Sequence, residues 1–387
     1  MLYIWVLLFC IFIFFLLFES IQLKKRRESI PLRITVTGIR GKTSVVRLLA
    51  SVFREEGKNV VAKTTGSQPC IIYNDGTERV LKRKGLPSIL EQKKLIKIAR
   101  RKNAEVIVSE IMSLHPENHY IESQKILKPH IVIITNIRLD HTEAMGDTKE
   151  EIAGVFCLDI PDKTTVFIPE QEKNAVILKS IKEKKSTCIE VKKNISETHF
   201  NSFQKLSYHV FPEDVDIINS VCNYLNINKN SIEKGIINVS SDIGSLKIWK
   251  YQKNKKNLFL INSFGANDPK STLKTISKIK NQLSVDSKIT GLLCLRKDRG
   301  DRTLQWVNFL EKNLEKIFYT VFISGGHSRY VSRKLENSML ITSKNPKIIT
   351  DQICSHLEDQ SVLLGFGNFK DTGEKLVNYW GKIGDKY

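Results

Sequence analysis

Hydrophobic positions divide the chain into an apolar head and an alternating body. Residues 1 to 18 carry no charged side chain and are almost wholly aliphatic or aromatic. A helix of about that length crosses a hydrocarbon core, more so if 19 to 23 extend it at the interface. This predicts a transmembrane anchor over 1–23. No basic stretch precedes the run and no small-residue cleavage site follows it, which argues against a secretory signal. Lys24, Lys25, Arg26 and Arg27 come next and predict a basic juxtamembrane linker over 24–32. Because positive charge stays on the cytoplasmic side, the expectation is a single-pass cell-membrane protein with its N-terminus outside and its body in the cytoplasm.

From Leu32 the pattern changes to short β-branched runs separated by helical stretches. Strands are predicted at Ile34–Thr37, Val60–Thr64, Val106–Ser109, Ile131–Thr135 and Val166–Pro169, an α/β order that implies a mostly parallel central sheet. The rhythm restarts after Ser240, with strands at Leu258–Ile261, Gly291–Leu295, Val321–Ser324 and Val362–Gly365 and helices near 270–283 and 302–315. The expected organisation is a central domain over 33–245 and a smaller C-terminal α/β domain over 246–387.

Charge and cysteine content narrow the class of protein. The formal net charge is +20, from 61 Lys and Arg against 41 Asp and Glu. A surface that basic fits anionic lipid, an acidic substrate, or lysine written at every solvated position. No zinc-finger spacing or aromatic RNA-binding motif accompanies it, so nucleic acid is not an expected partner. The seven cysteines are odd in number and form no C-x-x-C pair. They predict buried thiols in a reducing compartment rather than a disulfide framework or a cysteine zinc site.

The strongest chemical signal is Ile34-Thr-Val-Thr-Gly38-Ile39-Arg40-Gly41-Lys42-Thr43-Ser44, followed by the apolar stretch Val45–Val52. A strand, a glycine turn and a helix N-terminus in that order aim backbone N–H groups and the helix dipole at phosphate. Lys42 adds charge at the β and γ positions, and the Thr43 hydroxyl suits Mg²⁺. The glycine that usually stands six residues before the lysine is replaced by Val36, so the loop is a variant form. Two further polar groups end strands aimed at the same sheet edge. Glu110 closes Val106–Ser109, and Asn136, Asp140 and His141 follow Ile131–Thr135. Ligands bind at such carboxyl ends in open α/β sheets. Thr43 and Glu110 are candidate metal ligands, and His141 is a candidate for metal or phosphate.

This set resembles the Mur ligases, whose central domain carries Thr-Gly-x-x-Gly-Lys-Thr/Ser, a strand-end Glu and an Asn-x-x-x-Asp-His segment. It is most similar to their membrane-anchored relatives, the CapB/PgsB-type ligase subunits that build poly-γ-glutamate. Those share the Ile39-Arg40 insertion, Lys63-Thr-Thr-Gly66, Val210-Phe-Pro212, Phe264-Gly-Ala-Asn267-Asp268, Arg296-Lys-Asp298-Arg299-Gly-Asp301-Arg302-Thr303 and Gly365-Phe-Gly367-Asn368. The resemblance runs nearly the whole chain. It implies an ATP- and Mg²⁺-dependent ligase that phosphorylates a glutamate γ-carboxylate and passes the acyl group to the amine of another glutamate. The implied catalytic residues are Lys42, Glu110, His141 and Arg302, and the implied metal ligands are Thr43, Glu110 and His141. Nucleotide would be held by Gly38, Ile39, Arg40, Gly41, Lys42, Thr43, Ser44, Asn136, Arg299 and Asp301. Implied partners are glutamate, the growing polymer, the membrane and small membrane subunits of a synthase. The chain departs from the Mur pattern in having only residues 1–32 where a UDP-sugar domain would stand, in Asp214 where relatives have Asn, and in Lys247 where they have Arg. A membrane-anchored kinase of a lipid sugar would share the anchor and the loop, but not the Asn136–His141 segment or a second domain with Arg296–Thr303. A nucleotide-gated scaffold would bind ATP without sustained ADP release.

Overall fold

The computed structural model describes residues 2–83, 85, 87–193, 211–266, 268–283 and 289–387. It divides into two compact units, 1–241 and 242–387. Val210 and Asn267, named above for their motifs, lie outside the described residues.

The first unit begins with one unbroken helix, Leu2–Glu28, long and apolar enough to cross a membrane. It continues through Lys24–Arg27, so the expected linker over 24–32 shrinks to the three residues before the first strand. The reason is local. Lys and Arg are good helix formers, and cations in a last turn complement the helix dipole. Arg27 also donates to the carbonyls of Lys125 and Ile126, at 2.9 and 3.2 Å, which ties the end of the helix to the body.

Eight strands follow: β1 (Leu32–Thr37), β2 (Val60–Thr64), β3 (Cys70–Ile72), β4 (Glu78–Val80), β5 (Val106–Glu110), β6 (Ile131–Ile134), β7 (Thr165–Pro169) and β8 (Thr187–Val191). They form one sheet in the order β4-β3-β2-β5-β1-β6-β7-β8. All neighbours pair in parallel except β2/β3 and β3/β4. The inner strands are buried at nearly every position because both faces are covered, the usual state of a parallel sheet. One face packs on helices Lys42–Glu55, Pro212–Tyr224 and Lys229–Ile237 through Val45, Leu49, Val52, Ile218 and Ile236. Gly235 lets its helix press against Val52, whose Cα stands 2.5 Å from where a Cβ would be. β1 is the topological switch point: the chain leaves it for β2 on the β5 side and later returns to β6 on the other. Ligands in such sheets bind beyond the carboxyl ends at that point.

The second unit holds β9 (Lys247–Lys253), β10 (Lys256–Asn262), β11 (Ile289–Leu295), β12 (Phe318–Gly325), β13 (Ser338–Ile341), β14 (Val362–Gly367) and β15 (Asp385–Lys386). Their order is β13-β12-β11-β14-β10-β9-β15. The β9–β10 hairpin turns on Asn254 and Lys255, both at positive φ (49° and 63°), as a two-residue turn that follows the strand twist requires. Two apolar layers flank the sheet. Trp306 packs against Phe366 on one side. On the other Trp380 is buried with its indole N–H on Thr350 Oγ1 at 3.0 Å.

Candidate functional site: a glycine loop at the carboxyl ends of three strands

Strand register brings the three polar motifs together. Val36 of β1 lies beside Glu110 of β5 and Ile133 of β6, so the loop after β1, the end of β5 and the residues after β6 share one edge. Between β1 and helix Lys42–Glu55 the chain turns on Gly38 (φ 121°) and Gly41 (φ 84°), backbone that other residues adopt only at a cost. A Cβ on Gly38 would stand 2.2 Å from Thr135 Oγ1, and one on Gly41 2.8 Å from Asp214 Oδ1. The loop is therefore folded tightly against its neighbours.

Side chains from β6 and beyond hold it there. Thr135 donates to the Arg40 carbonyl at 2.6 Å. The Asn136 amide clamps the same residue, accepting from Arg40 N–H at 3.0 Å and donating to Arg40 O at 2.8 Å. Asn136 thus spends both ends of its amide on shaping the loop. The Arg40 guanidinium pairs with Asp140 at 3.2 Å, and Asp140 accepts from the backbone N–H of His141, itself at φ 55°.

Lys42 opens the helix, and its ammonium folds back to donate to Gly38 O at 2.6 Å. Burial pushes its pKa below the ordinary lysine range, while Glu110 opposes that shift. Thr43 Oγ1 donates to Glu110 Oε2 at 2.9 Å, and the same oxygen accepts from Thr65 N–H at 2.8 Å. Gly66 completes the Lys-Thr-Thr-Gly turn, where a Cβ would meet Thr43 Oγ1 at 2.4 Å. A hydroxyl and a carboxylate oxygen in contact beside the glycine loop are hard donors that could hold a divalent cation. Among the described residues no group of three or more His, Cys, Asp and Glu stands together as a metal cage. His141 lies close by, lining with Gly38 and Lys42 a cavity of about 40 Å³.

The remaining predicted residues belong to the second unit. Arg299 and Asp301 pair with each other at 3.1 Å, and Arg296 pairs with Asp298, at the start of helix Gly300–Ile317. Arg302 is buried on that helix. Asp268 caps helix Pro269–Leu283 by accepting from Ser271 N–H at 2.9 Å.

Two features of the first unit were invisible to motif reading. Lys63 is wholly buried and pairs with Glu91 at 3.3 Å, with buried Glu122 also acting on its charge. His119 and Asp159 form a buried pair at 2.9 Å. Lys63 stands in a motif that signals phosphate-loop packing, but its partners lie tens of residues away in sequence.

Two family descriptions match the chain, "Mur ligase middle domain" over residues 36–231 and "Poly-gamma-glutamate synthase CapB C-terminal domain" over 248–383. The chain belongs to the Mur ligase family. It is 30% identical over 364 residues to the capsule biosynthesis protein CapB of Bacillus anthracis, which covers 92% of this chain and 77% of that one. It is 29% identical to the PGA synthase CapB of Bacillus subtilis, over 93% of this chain and 92% of that one. In fold it is similar to a bifunctional folylpolyglutamate/dihydrofolate synthase of Yersinia pestis complexed with AMPPNP and Mn ion, with TM-score 0.70, 12% identity and coverage of 94% and 92% of the two chains. It is also similar to MurF of Acinetobacter baumannii, with TM-score 0.62, 15% identity and coverage of 91% and 78%. As a Mur ligase it is an ATP-dependent enzyme that forms amide bonds.

Proposed function

We propose that this Mur ligase joins glutamates through their γ-carboxylates, building poly-γ-glutamate at the cytoplasmic face of the cell membrane with small membrane subunits as partners. The observation that carries the ligase chemistry is the Thr43–Glu110 contact beside Lys42. It sets hard oxygens and one ammonium where the β- and γ-phosphates of ATP would sit on the loop amides. The substrate class rests on the similarity to the two CapB proteins, which spans nearly the whole chain.

In this reading a glutamate γ-carboxylate oxygen attacks the γ-phosphorus and ADP leaves. The amine of a second glutamate then attacks the acyl carbon, phosphate leaves, and the nitrogen gives up one proton to become the amide N–H. Lys42 and the loop N–H groups bind and orient the phosphates, the main demand of phosphoryl transfer. A Mg²⁺ ion would be held by Thr43 and Glu110, with His141 at its edge, and supplies neutralisation of phosphate charge when bound. Arg299, Asp301 and Arg302 of the second unit contribute to nucleotide and acyl-phosphate. Lys24–Arg27, at the end of the apolar helix, sets the orientation of the anchor.

The test is ADP release by the detergent-solubilised full chain with Mg-ATP, with and without glutamate, in the presence of hydroxylamine. Glutamate-dependent release with a trapped hydroxamate is expected, both falling about a thousandfold in Lys42→Ala. ATP binding without either signal, with the membrane subunits restored, would move the assignment to a kinase or a scaffold.

A further inference from the structure

His119 sits on the short helix Pro116–Tyr120, only 2% exposed. Its Nδ1 faces both oxygens of fully buried Asp159, at 3.0 and 2.9 Å. The edge of Phe156 packs against the ring, with centroids 6.0 Å apart. Two of the three groups a histidine needs for a fixed orientation are thus in place: a carboxylate for one nitrogen and a wall for the ring. The other nitrogen, Nε2, is buried without a hydrogen-bond partner. A buried polar atom left unpaired costs about 1–3 kcal/mol, and a fold that carries that cost beside its phosphate loop has a use for the atom.

The surroundings say which use. His119 lines the same cavity of about 40 Å³ as Thr37, Gly38, Lys42, Ser113 and His141. A space of this kind holds one water for every ~10–15 Å³, so it has room for the oxygens of a phosphoryl group. Lys42 is near enough that its charge acts on His119, and Asp159 acts in turn on Lys42. An oxyanion entering the cavity would meet cations on two sides. Asp159 holds the Nδ1 proton and supports the positive ring, which leaves Nε2–H to point at the anion.

We propose that the His119–Asp159 pair is a second phosphoryl-binding element of this site, in which His119 Nε2–H donates to an oxygen of the γ-phosphoryl group opposite Lys42, with Asp159 as the positioning residue behind it. The contact belongs to the transferred group and not to the α- and β-phosphates, which the loop amides hold. The inference rests on the ATP-dependent reading of the site.

Two near-isosteric variants separate this role from packing. His119→Asn keeps an amide N–H where Nδ1 meets Asp159 and removes the unpartnered nitrogen. His119→Gln extends an amide donor to the position of Nε2. Calorimetric titration of the full chain with Mg-AMPPNP and Mg-ADP gives the readout, with thermal melting run alongside. His119→Asn is expected to bind AMPPNP about 10- to 100-fold more weakly, the worth of one charge-assisted hydrogen bond, with ADP affinity unchanged. His119→Gln is expected to recover most of that loss. Unchanged AMPPNP-to-ADP ratios in both variants would overturn the proposal and leave His119 a packing residue. If His119→Asn melts at the assay temperature, the ratio in His119→Gln and in Asp159→Asn decides: a wild-type ratio in Asp159→Asn is the overturning result. Failure of the wild type to bind ADP would remove the nucleotide site itself, a different outcome from a changed ratio.

Discussion

Two strand–loop–helix junctions in this chain share an order of elements and are built in opposite ways. The junction after β1 runs through Gly38-Ile-Arg-Gly41 into Lys42, and the one after β11 through Arg296-Lys-Asp-Arg299 into Gly300. In the first, nearly every polar group is held by a residue remote in sequence: Arg40 by Asn136 and Asp140, Thr43 by Glu110, Glu110 by Thr65. In the second, the charges pair within two residues, Arg296 with Asp298 and Arg299 with Asp301, on exposed carboxylates. Remote partners fix geometry before a ligand arrives, which is what electrostatic preorganisation needs. Local pairs at the surface are worth ~0–1 kcal/mol and are easily exchanged for a ligand's charge. The first junction is held from across the sheet, and the second carries pairs that cost little to break.

The largest effect should come from the remote pair at the first junction. Glu110→Gln keeps the shape and loses the charge opposite Thr43, and we expect glutamate-dependent ADP release to fall about a hundredfold or more. Higher Mg²⁺ should restore part of it. A Mg²⁺ titration of turnover reads this, and an unchanged Mg²⁺ requirement would separate Glu110 from the cation. Gly38→Ala comes next. At φ 121° with Thr135 Oγ1 2.2 Å from the new methyl, the loop must open. A loss of about 1–3 kcal/mol in stability with nucleotide affinity down at least tenfold is expected by thermal melting and titration. The comparable change at the second junction, Gly300→Ala, meets no atom within 4 Å and should leave melting unaltered.

The same contrast explains what could be read without coordinates. Parallel strands buried on both faces are rich in β-branched residues, so β1, β2, β5, β6 and β7 stood out, as did a glycine turn between a strand and an apolar helix. The short edge strands did not. β4 is exposed at all three positions and β15 is two residues long, and neither leaves a hydrophobic period. The loop's chemistry was legible because Gly38–Ser44 is contiguous. Thr135 and Asn136 as its clamps, the buried Lys63, and the His119–Asp159 pair were not, since their partners are separated by about 30 to 100 residues and only the sheet order joins them. Asn136 was expected at the nucleotide. Its amide accepts from Arg40 N–H and donates to Arg40 O, which sets it on the loop expected to hold that nucleotide.

A smaller effect tests the second junction. Arg299→Ala should shift melting by no more than ~1 kcal/mol for the loss of its pair with Asp301, yet lower turnover if the side chain is recruited to nucleotide. A melting change well above that would mean the pair is structural and the contrast between the junctions is wrong. Raised salt should mimic the stability part of the substitution in the wild type and leave the first junction unaffected, because exposed charges are screened and buried ones are not.

The smallest effect is in pH, and the two regions should respond at opposite ends of the scale. Asp301 has its pKa lowered, first by its hydrogen bond from Arg299. Its contribution to stability is present above the ordinary Asp value of ~3.9 and is lost as pH falls through the depressed one. His119 is shifted the other way: burial pulls it down, but the charge and hydrogen bond of Asp159, with help from Glu122 and against Lys42, leave it raised. A raised folded pKa stabilises fully below the unfolded value of ~6.5 and loses that contribution as pH rises through the folded value. The melting gap between wild type and His119→Asn should therefore be widest near pH 6 and narrow on the alkaline side, while the gap for Arg299→Ala stays flat there and closes only in acid. A His119→Asn gap that does not change between pH 6 and 9 would mean the ring is neutral throughout. The cation facing the phosphoryl cavity would then form only when nucleotide binds.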